Sequence, residues 1–429
     1  MRFSILIAGL MMAGGTAMAA DGASASLPLT QEQAQALATE RNHDLAIARS
    51  TVASAQANVL AAGAAPNPMF GVSTSSIDLA GHNGGSSLWR RQVDTVVSLS
   101  QVIERGGKRE LRRENAQHNV RAADADLSDV RRQLRLLVAH AYADLHAAQD
   151  KLAATRDAAQ LLDSMLAAAQ TRRKAGDIAG ADVERVRVDS LRAKNDVAGA
   201  DAELKRARRA LALLLGESER AESLEAADPW PPLDDAMLPS GSSLSEIIDR
   251  RPDVLAAAAR IDAAGSSTKL AESLRTRDVS VGVQFEHFPQ PGSASPAGNS
   301  VGVSLQLPLF TRYYYEGEIG ASLAALDTAR EAHARARAVA ESEIGSALAA
   351  LRGAAERVRR NRDELLVAAE KAAAAAEYAY RNGAVGVIDM LDARRTLRAT
   401  RLDALTALAD FSKALASWRA ATETTDLSK

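Results

Sequence analysis

The segment Val301-Gly-Val-Ser-Leu-Gln-Leu-Pro-Leu-Phe310 alternates apolar side chains with polar or small residues. Because successive side chains of an extended chain point to opposite faces, this period of two predicts a strand with one apolar face. Three other segments have a similar pattern, and the four predicted strands cover residues 67–78, 93–103, 278–288 and 300–310. Each is about ten residues long, which is the length a tilted strand needs to cross a bilayer.

Polar, glycine-rich stretches at 81–87 and 289–299 separate the two members of each strand pair, which is typical of hairpin loops that face solvent. Most of the scarce aromatic residues lie near these strands. They are Phe70, Trp89, Phe285, Phe288, Phe310, Tyr313, Tyr314 and Tyr315. Aromatic side chains at the ends of an apolar band are expected at a membrane interface. The alternative is a pair of soluble hairpins with an aromatic core.

The chain also contains an internal repeat, because four sequence features recur about 207 residues apart. The pairs are Arg41–Leu45 with Arg250–Val254, Ser98-Leu99 with Ser304-Leu305, Lys174–Gly176 with Arg381–Gly383, and Asp182 with Asp389. This spacing predicts a tandem duplication with copies at 27–227 and 244–421. Residues 228–243 hold four of the twelve prolines and are predicted to be the linker.

The N-terminus has Arg2, an apolar run and then Ala17-Met18-Ala19, which together predict a secretory signal peptide over residues 1–19. The alternative, a membrane anchor, is disfavoured because a spanning helix needs about 20 apolar residues. No later run is that apolar, so no transmembrane helix is expected. The chain has no cysteine, which excludes disulfides, thiolate metal sites and a lipid-modified N-terminal cysteine.

Two long segments without proline, 108–174 and 316–381, predict helices that would each reach ~100 Å. The helix that follows each of them repeats small and apolar residues at spacings of three and four, which predicts antiparallel coiled coils. The first of these predicted seams comprises Val183, Val186, Ser190, Ala193, Val197, Ala200, Leu204, Ala207, Leu211 and Leu214. The second comprises Met390, Ala393, Leu397, Thr400, Ala404, Ala407, Phe411, Ala414 and Trp418.

The composition and the motifs argue against several classes of function. The formal net charge is −2, from 52 basic and 54 acidic residues, and this balance argues against a nucleic-acid partner. The seven histidines form no ligand pair on a helix, and the sequence has neither a nucleophile elbow nor a dinucleotide-binding fingerprint. We therefore expect no enzymatic activity, no metal site and no cofactor.

A lone four-stranded sheet cannot lie in lipid, because its unpaired edges would leave backbone groups without hydrogen bonds. The order of strand pair, long helix, glycine-containing tip and heptad helix, present twice, resembles the TolC family of outer-membrane efflux proteins. The segments Val301–Phe310 and Tyr380–Asp392 are similar to the family's fourth strand and inner hairpin tip. The resemblance implies a mixed α and β fold with a trimeric twelve-stranded transmembrane β-barrel and a periplasmic α-barrel of long helices.

The resemblance also implies site residues. Asp389 and Asp392 match an aspartate pair at the narrow periplasmic end, where three subunits would form two carboxylate rings that attract cations. The alternative is that both only cap and solvate the start of a helix. Tyr380 matches a tyrosine that helps to hold the tip closed, whereas Val385 stands where relatives can have an arginine. The tips, with Gly176, Asp177, Gly383, Val385 and Gly386, would dock a periplasmic adaptor.

The resemblance further implies the partners: a homotrimer in the lipid of a Gram-negative outer membrane, a periplasmic membrane fusion (adaptor) protein and an inner-membrane RND-type pump. Val102-Ile-Glu-Arg-Gly-Gly-Lys-Arg109 resembles a segment of the heavy-metal branch, so a passive exit duct for metal cations is the expected function. As local structure, the same segment predicts a strand-to-helix turn with basic residues at the membrane surface. The alternatives are a drug-efflux or type I protein secretion channel, and a soluble periplasmic coiled-coil scaffold.

Overall fold

The computed structural model describes residues 27–77, 93–233, 244–288 and 298–424. The predicted signal peptide, nearly all of both predicted hairpin loops and residues 234–243 of the predicted linker lie outside the described residues. The structure is mostly helical and includes a four-stranded antiparallel sheet, so the expected mixed α and β fold is confirmed.

The first half of the chain contains two short helices, two strands of the sheet and two long helices. Its elements are β1 (Leu27–Leu29), α1 (Gln31–Arg41), α2 (His43–Ala62), β2 (Met69–Ser75), β3 (Asp94–Ile103), α3 (Lys108–Lys174), α4 (Gly180–Leu215), a 3-10 helix (Ser218–Ser223) and β4 (Leu224–Ala226). The short strands β1 and β4 pair in parallel.

The second half has the same order of major elements. They are α5 (Leu244–Asp249), α6 (Pro252–Ser273), β5 (Val279–Phe288), β6 (Gly298–Gln306), α7 (Glu316–Arg360), a π-helical turn (Asn361–Leu365), α8 (Leu366–Arg381) and α9 (Val387–Ala421). None of the helices in the described ranges combines the length and the apolar character needed to cross a membrane.

The predicted long helices are present. α3 extends over 67 residues without a break, and α7 with α8 covers the second predicted helix, interrupted only by the five-residue π-helical turn. α3 packs along α4, and α7 packs along α9. The predicted seam of α4 lies in these contacts, with Val183, Val186 and Leu211 nearly inaccessible to solvent. Burial of this apolar stripe holds α4 against α3 in the first hairpin.

The sheet has the strand order β2-β3-β5-β6, and all its neighbours are antiparallel. Two of the strands differ from their predicted extents at a proline. β2 begins at Met69 because Pro68 precedes it, and β6 ends at Gln306, before Pro308, so residues 307–310 are not part of the strand. Proline cannot donate a hydrogen bond to a neighbouring strand, which accounts for both ends.

The register gives the sheet one apolar and one more polar face. Val97, Phe285 and Val301 form one cross-strand row, and Leu99, Val283 and Val303 form the next. On the opposite face, Gln284 pairs with Gly302 and Glu286 with Ser300. The apolar face is open to the surroundings, since Val301 and Val303 are each 78% exposed.

Candidate functional site

The tips of the two long hairpins end in the same backbone motif. At the end of α3, the N–H of Asp177 donates to the carbonyl of Arg172 (2.9 Å), and Gly176 has φ of +87°. At the end of α8, the N–H of Ala384 donates to the carbonyl of Ala379 (2.8 Å), and Gly383 has φ of +73°. Both are Schellman turns, in which glycine takes the left-handed conformation without the steric cost that other residues incur.

The two tips pack against each other through a small apolar cluster. Its buried members come from α3, α4 and α9. They are Ala169, Val183, Val186, Val387, Met390 and Leu391. Tyr380 packs at the edge of this cluster, and the guanidinium carbon of Arg172 lies 5.4 Å from the centre of its ring. A cation over an aromatic face is attractive, so Tyr380 links the tip of the second hairpin to that of the first.

The predicted aspartates lie on the exposed side of α9. The Oδ2 of Asp389 accepts a hydrogen bond from the N–H of Gly386 (3.2 Å), which caps the first turn of α9. Within one chain, Asp389 therefore acts as a helix cap. Asp392 follows three residues later and is also exposed. Within the described residues, neither carboxylate forms an ion pair, so both remain accessible to ions.

The other tip residues predicted from sequence divide into turn and helix-start positions. Asp177 is exposed and belongs to the first turn, Gly386 is the residue before α9, and Val385 is partly buried. Val385 offers no charge to a closing network. The second hairpin tip is instead held by backbone hydrogen bonds and apolar contacts.

Sequence reasoning missed a row of arginines on α9, immediately above the tip. The arginine row comprises Arg394, Arg395, Arg398 and Arg401. Arg395 binds both carboxylate oxygens of Asp189 on α4 at 2.7 and 2.8 Å, and Arg398 binds Asp196 on the same helix. Arg394 binds Glu377 and Arg401 binds Glu370, both on α8. The row therefore ties α9 to the first hairpin and to its own hairpin partner.

Asp189 is the most shielded carboxylate bound by this row, because its side chain is only 7% exposed, whereas Arg395 itself is 56% exposed. Both hydrogen bonds come from the Nη2 of Arg395, and hydrogen bonds between charged groups are stronger than those between neutral groups. A cavity of about 730 Å³ lies beside the row, between α3, α4 and α9. The sequence signal was present but weak. Asp189 precedes the predicted seam residue Ser190, and the arginines recur at helical spacing.

The segment Val102–Arg109 forms the turn between β3 and α3. Gly106 and Gly107 both have positive φ, and the Nζ of Lys108 is buried against Asp278 (2.8 Å) and the carbonyl of Thr276 (2.8 Å). Lys108 thus binds the connection between α6 and β5, and because its side chain is buried, the expectation that it lies at a surface is wrong for this residue. Arg105 and Arg109 remain exposed.

The fold and the doubled hairpin define the class of the protein. The family model for outer membrane efflux proteins matches residues 34–217 and 243–423. The chain belongs to this family, and it is therefore a transport protein and not an enzyme. Membership places it with proteins of the Gram-negative outer membrane.

Among its relatives, the chain is 26% identical to the cobalt-zinc-cadmium resistance protein CzcC of Cupriavidus metallidurans, over 87% of this chain and 85% of that protein. It is 25% identical to the pyoverdine export outer membrane protein OpmQ of Pseudomonas putida, over 84% and 78% of the two chains. Its fold is similar to the Campylobacter jejuni CmeC outer membrane channel, with a TM-score of 0.77, 16% identity and coverage of 91% and 85%.

In the part of the chain that the structure describes, no group of three or more His, Asp or Glu residues is arranged to bind a metal ion.

Proposed function

We propose that this chain is the outer-membrane exit channel of a tripartite efflux system, assembled from three copies. The observation that carries the proposal is the four-stranded sheet, whose apolar face is exposed while its opposite face is more polar. In water such a face would be unfavourable, but in a bilayer it matches the hydrocarbon region. The polar face would then line an aqueous pore.

The open edges of the sheet supply the reason for assembly. β2 and β6 each have a single neighbour among the described strands, so each leaves one edge of backbone donors and acceptors unpaired. In lipid those groups need partners, and pairing β6 of one copy with β2 of the next satisfies them. Three copies would close a twelve-stranded barrel. The number three comes from the resemblance to the TolC family.

The long helices would form the periplasmic part. α3 alone would extend ~100 Å from the sheet, since an α-helix rises ~1.5 Å per residue. Both hairpin tips lie at the end distant from the sheet, where an adaptor protein and an RND-type pump of the inner membrane would engage the channel. The shared Schellman turns and the matching element order support a tandem duplication as the origin of the two halves.

The tip would be the gate of the channel. Asp389 and Asp392 are exposed and form no ion pair within the described residues, so three copies would place carboxylate rings across a narrow lumen and favour cations. The Arg395–Asp189 pair would keep the inner hairpin against the outer one while the gate is closed. Opening would then require this pair to break or slide.

Heavy-metal cations are the proposed cargo, because a relative that is 26% identical is a cobalt-zinc-cadmium resistance protein. The resemblance of Val102–Arg109 to the heavy-metal branch supports the same cargo. Export of a siderophore or another small organic molecule is the second candidate, supported by the relative named for pyoverdine export. A panel of metal salts, drugs and siderophores, applied to a strain that lacks the gene, separates the two.

The channel itself is tested by conductance. We expect the protein purified in detergent to be a trimer and to conduct in planar bilayers. The double variant Asp389→Ala, Asp392→Ala should lose cation preference, whereas Asp403→Ala, about three turns farther along the same helix, should keep it. A monomer that stays in solution without detergent would overturn the channel, and unchanged ion selectivity in the double variant would overturn the gate assignment.

A further inference from the structure

The apolar face of the sheet ends in a group of arginine and aromatic side chains on the side nearest the helices. This membrane-border collar comprises Arg105, Arg275, Arg277, Arg312, Phe310, Tyr313, Tyr314 and Tyr315. We infer that the collar binds the phosphate group of phospholipids in the periplasmic leaflet of the outer membrane. The inference rests on the proposed function, since it requires the sheet to lie in the membrane.

The position of two arginines follows from the strand register. Ile103 pairs with Val279, and both belong to the apolar face. Arg105 and Arg277 each lie two residues beyond this pair, at the end where the helices begin. Because side chains alternate along an extended chain, both arginines continue the apolar face past its border. A cation there would lie at the depth of the lipid head groups.

The aromatic members of the collar hold one of these arginines in place. The guanidinium carbon of Arg277 lies 5.3 Å from the centre of the Phe310 ring. Phe310 in turn makes an edge contact with Tyr315 at 5.3 Å, and the Nε of Arg275 donates to the carbonyl of Tyr314 (3.2 Å). An arginine stacked on an aromatic face keeps the edge of its guanidinium available for a phosphate oxygen.

The nearby carboxylates do not neutralise the collar. Asp278 accepts from Lys108 and from the backbone N–H of Arg105. Glu104 is occupied by Arg112 through two hydrogen bonds. Within the described residues, the side chains of Arg105, Arg277 and Arg312 form no ion pair. Positive charge therefore remains at the border of the apolar face.

Two carboxylates of this region keep their negative charge, because the groups that donate to them are neutral. Glu316 accepts from the backbone N–H of Tyr314 (3.0 Å), and Glu318 accepts from the hydroxyl of Tyr313 (2.5 Å). The four arginines of the collar outnumber these two carboxylates, so the ligand that fits is an anion with a long apolar tail. A phospholipid meets both requirements, because its phosphate would contact the guanidinium groups while its acyl chains follow exposed Ile103, Leu305 and Leu309.

Native mass spectrometry of the full-length trimer in detergent tests the inference. The probes are phosphatidylglycerol, diacylglycerol with the same acyl chains, and inorganic phosphate at millimolar concentration. We expect the wild type to retain phosphatidylglycerol at least about tenfold better than diacylglycerol, with the preference reduced about tenfold in the double variant Arg105→Gln, Arg277→Gln. Arg105→Lys, Arg277→Lys should retain part of it, and Arg330→Gln on α7, away from the sheet, should retain all of it.

The outcomes are distinguishable. Equal retention of both lipids would mean that the collar recognises only the acyl chains, and it would overturn the inference. An unchanged preference for phosphatidylglycerol in the glutamine variant would overturn it as well. Displacement of the lipid by inorganic phosphate would assign the collar to free phosphate. In each of these cases the trimer and its conductance would remain, so the proposed channel would stand. A soluble monomer would instead remove the proposed function itself.

Discussion

The two halves of the chain use different residues to hydrogen-bond a carbonyl near the end of their second long helix. In the first half, Asn42 precedes α2, and its Nδ2 donates to the carbonyl of Leu214 near the end of α4 (3.0 Å). In the second half, Arg251 precedes α6, and its Nη1 donates to the carbonyl of Ala421 at the end of α9 (3.4 Å). The acceptors are at equivalent positions of the predicted repeat. Both side chains satisfy a carbonyl that the end of a helix leaves without a partner.

Asn42 makes two kinds of contact in the first half that two residues make separately in the second. The Oδ1 of Asn42 also caps α2, accepting from the N–H groups of Asp44 and Leu45. Arginine cannot accept a hydrogen bond, so Asp253 accepts from the N–H of Val254 in its place. A neutral amide therefore does in the first half what a charged pair does in the second.

The buried charge of Arg251 has consequences for stability. Arg251 is fully buried and also binds Glu343 at 2.7 Å. Burial would by itself raise the pKa of Asp253, but the hydrogen bond and the charge of Arg251 outweigh it and lower the pKa below its ordinary value. The second half should therefore depend more strongly on a single side chain than the first.

The largest effect is expected for Arg251→Met. Removal of the cation leaves Asp253 partly buried without its main partner, and breaking such a pair costs about 3 kcal/mol. The thermal midpoint of the helical circular dichroism signal should fall clearly. Arg330→Met, which removes a 60% exposed side chain from an i,i+3 pair, should change the midpoint little. Equal midpoints for the two variants would contradict the importance assigned to the buried cation.

A smaller effect is expected for Asn42→Ala. The loss of an N-cap acceptor costs about 1 kcal/mol, and no charge is left behind. Asn42→Asp should recover most of the loss at neutral pH, because it restores the acceptor though not the donor to Leu214. Hydrogen exchange of peptides from α2 measures this directly. If Asn42→Ala destabilised the protein as much as Arg251→Met, the proposed contrast between the halves would be wrong.

The smallest effect is expected for the pH dependence of stability that His140 causes. Burial between α3 and α9 lowers the pKa of His140, whose Nε2 lies 3.1 Å from the carbonyl of Lys413. The unfolded chain takes up the proton first, so stability should decline as the pH falls below about 6.5. The repeat places Ala347 at the equivalent position of the second half.

His140→Gln should make the thermal midpoint less dependent on pH between about 7 and 5, by less than about 1 kcal/mol. The depressed pKa of Asp253 gives the second half a separate and lower window, with stability present above about pH 3.8 and lost as the pH falls further. An identical pH profile for the wild type and His140→Gln would exclude the histidine as the source of acid sensitivity.

The sequence was most informative where structure depends on local pattern. The absence of proline between 108 and 174 matched the extent of α3, and the alternation of apolar residues located β3 and β5. It was least informative at the candidate site. The tip residues were found through a family resemblance, whereas the contacts of the arginine row with Asp189 and Asp196 were missed because these partners lie 206 and 202 residues away in the chain.

Several features were determined by the sequence alone: the long helices, the strand faces, and the two glycine turns. All of these follow from periodicity, proline and φ preference over a few neighbouring residues. Only the tertiary structure decided that Arg395 meets Asp189, 206 residues away, and that Lys108 meets Asp278, 170 residues away. Charged side chains cover much of every long helix, and the sequence alone does not show which two of them are close together in the fold.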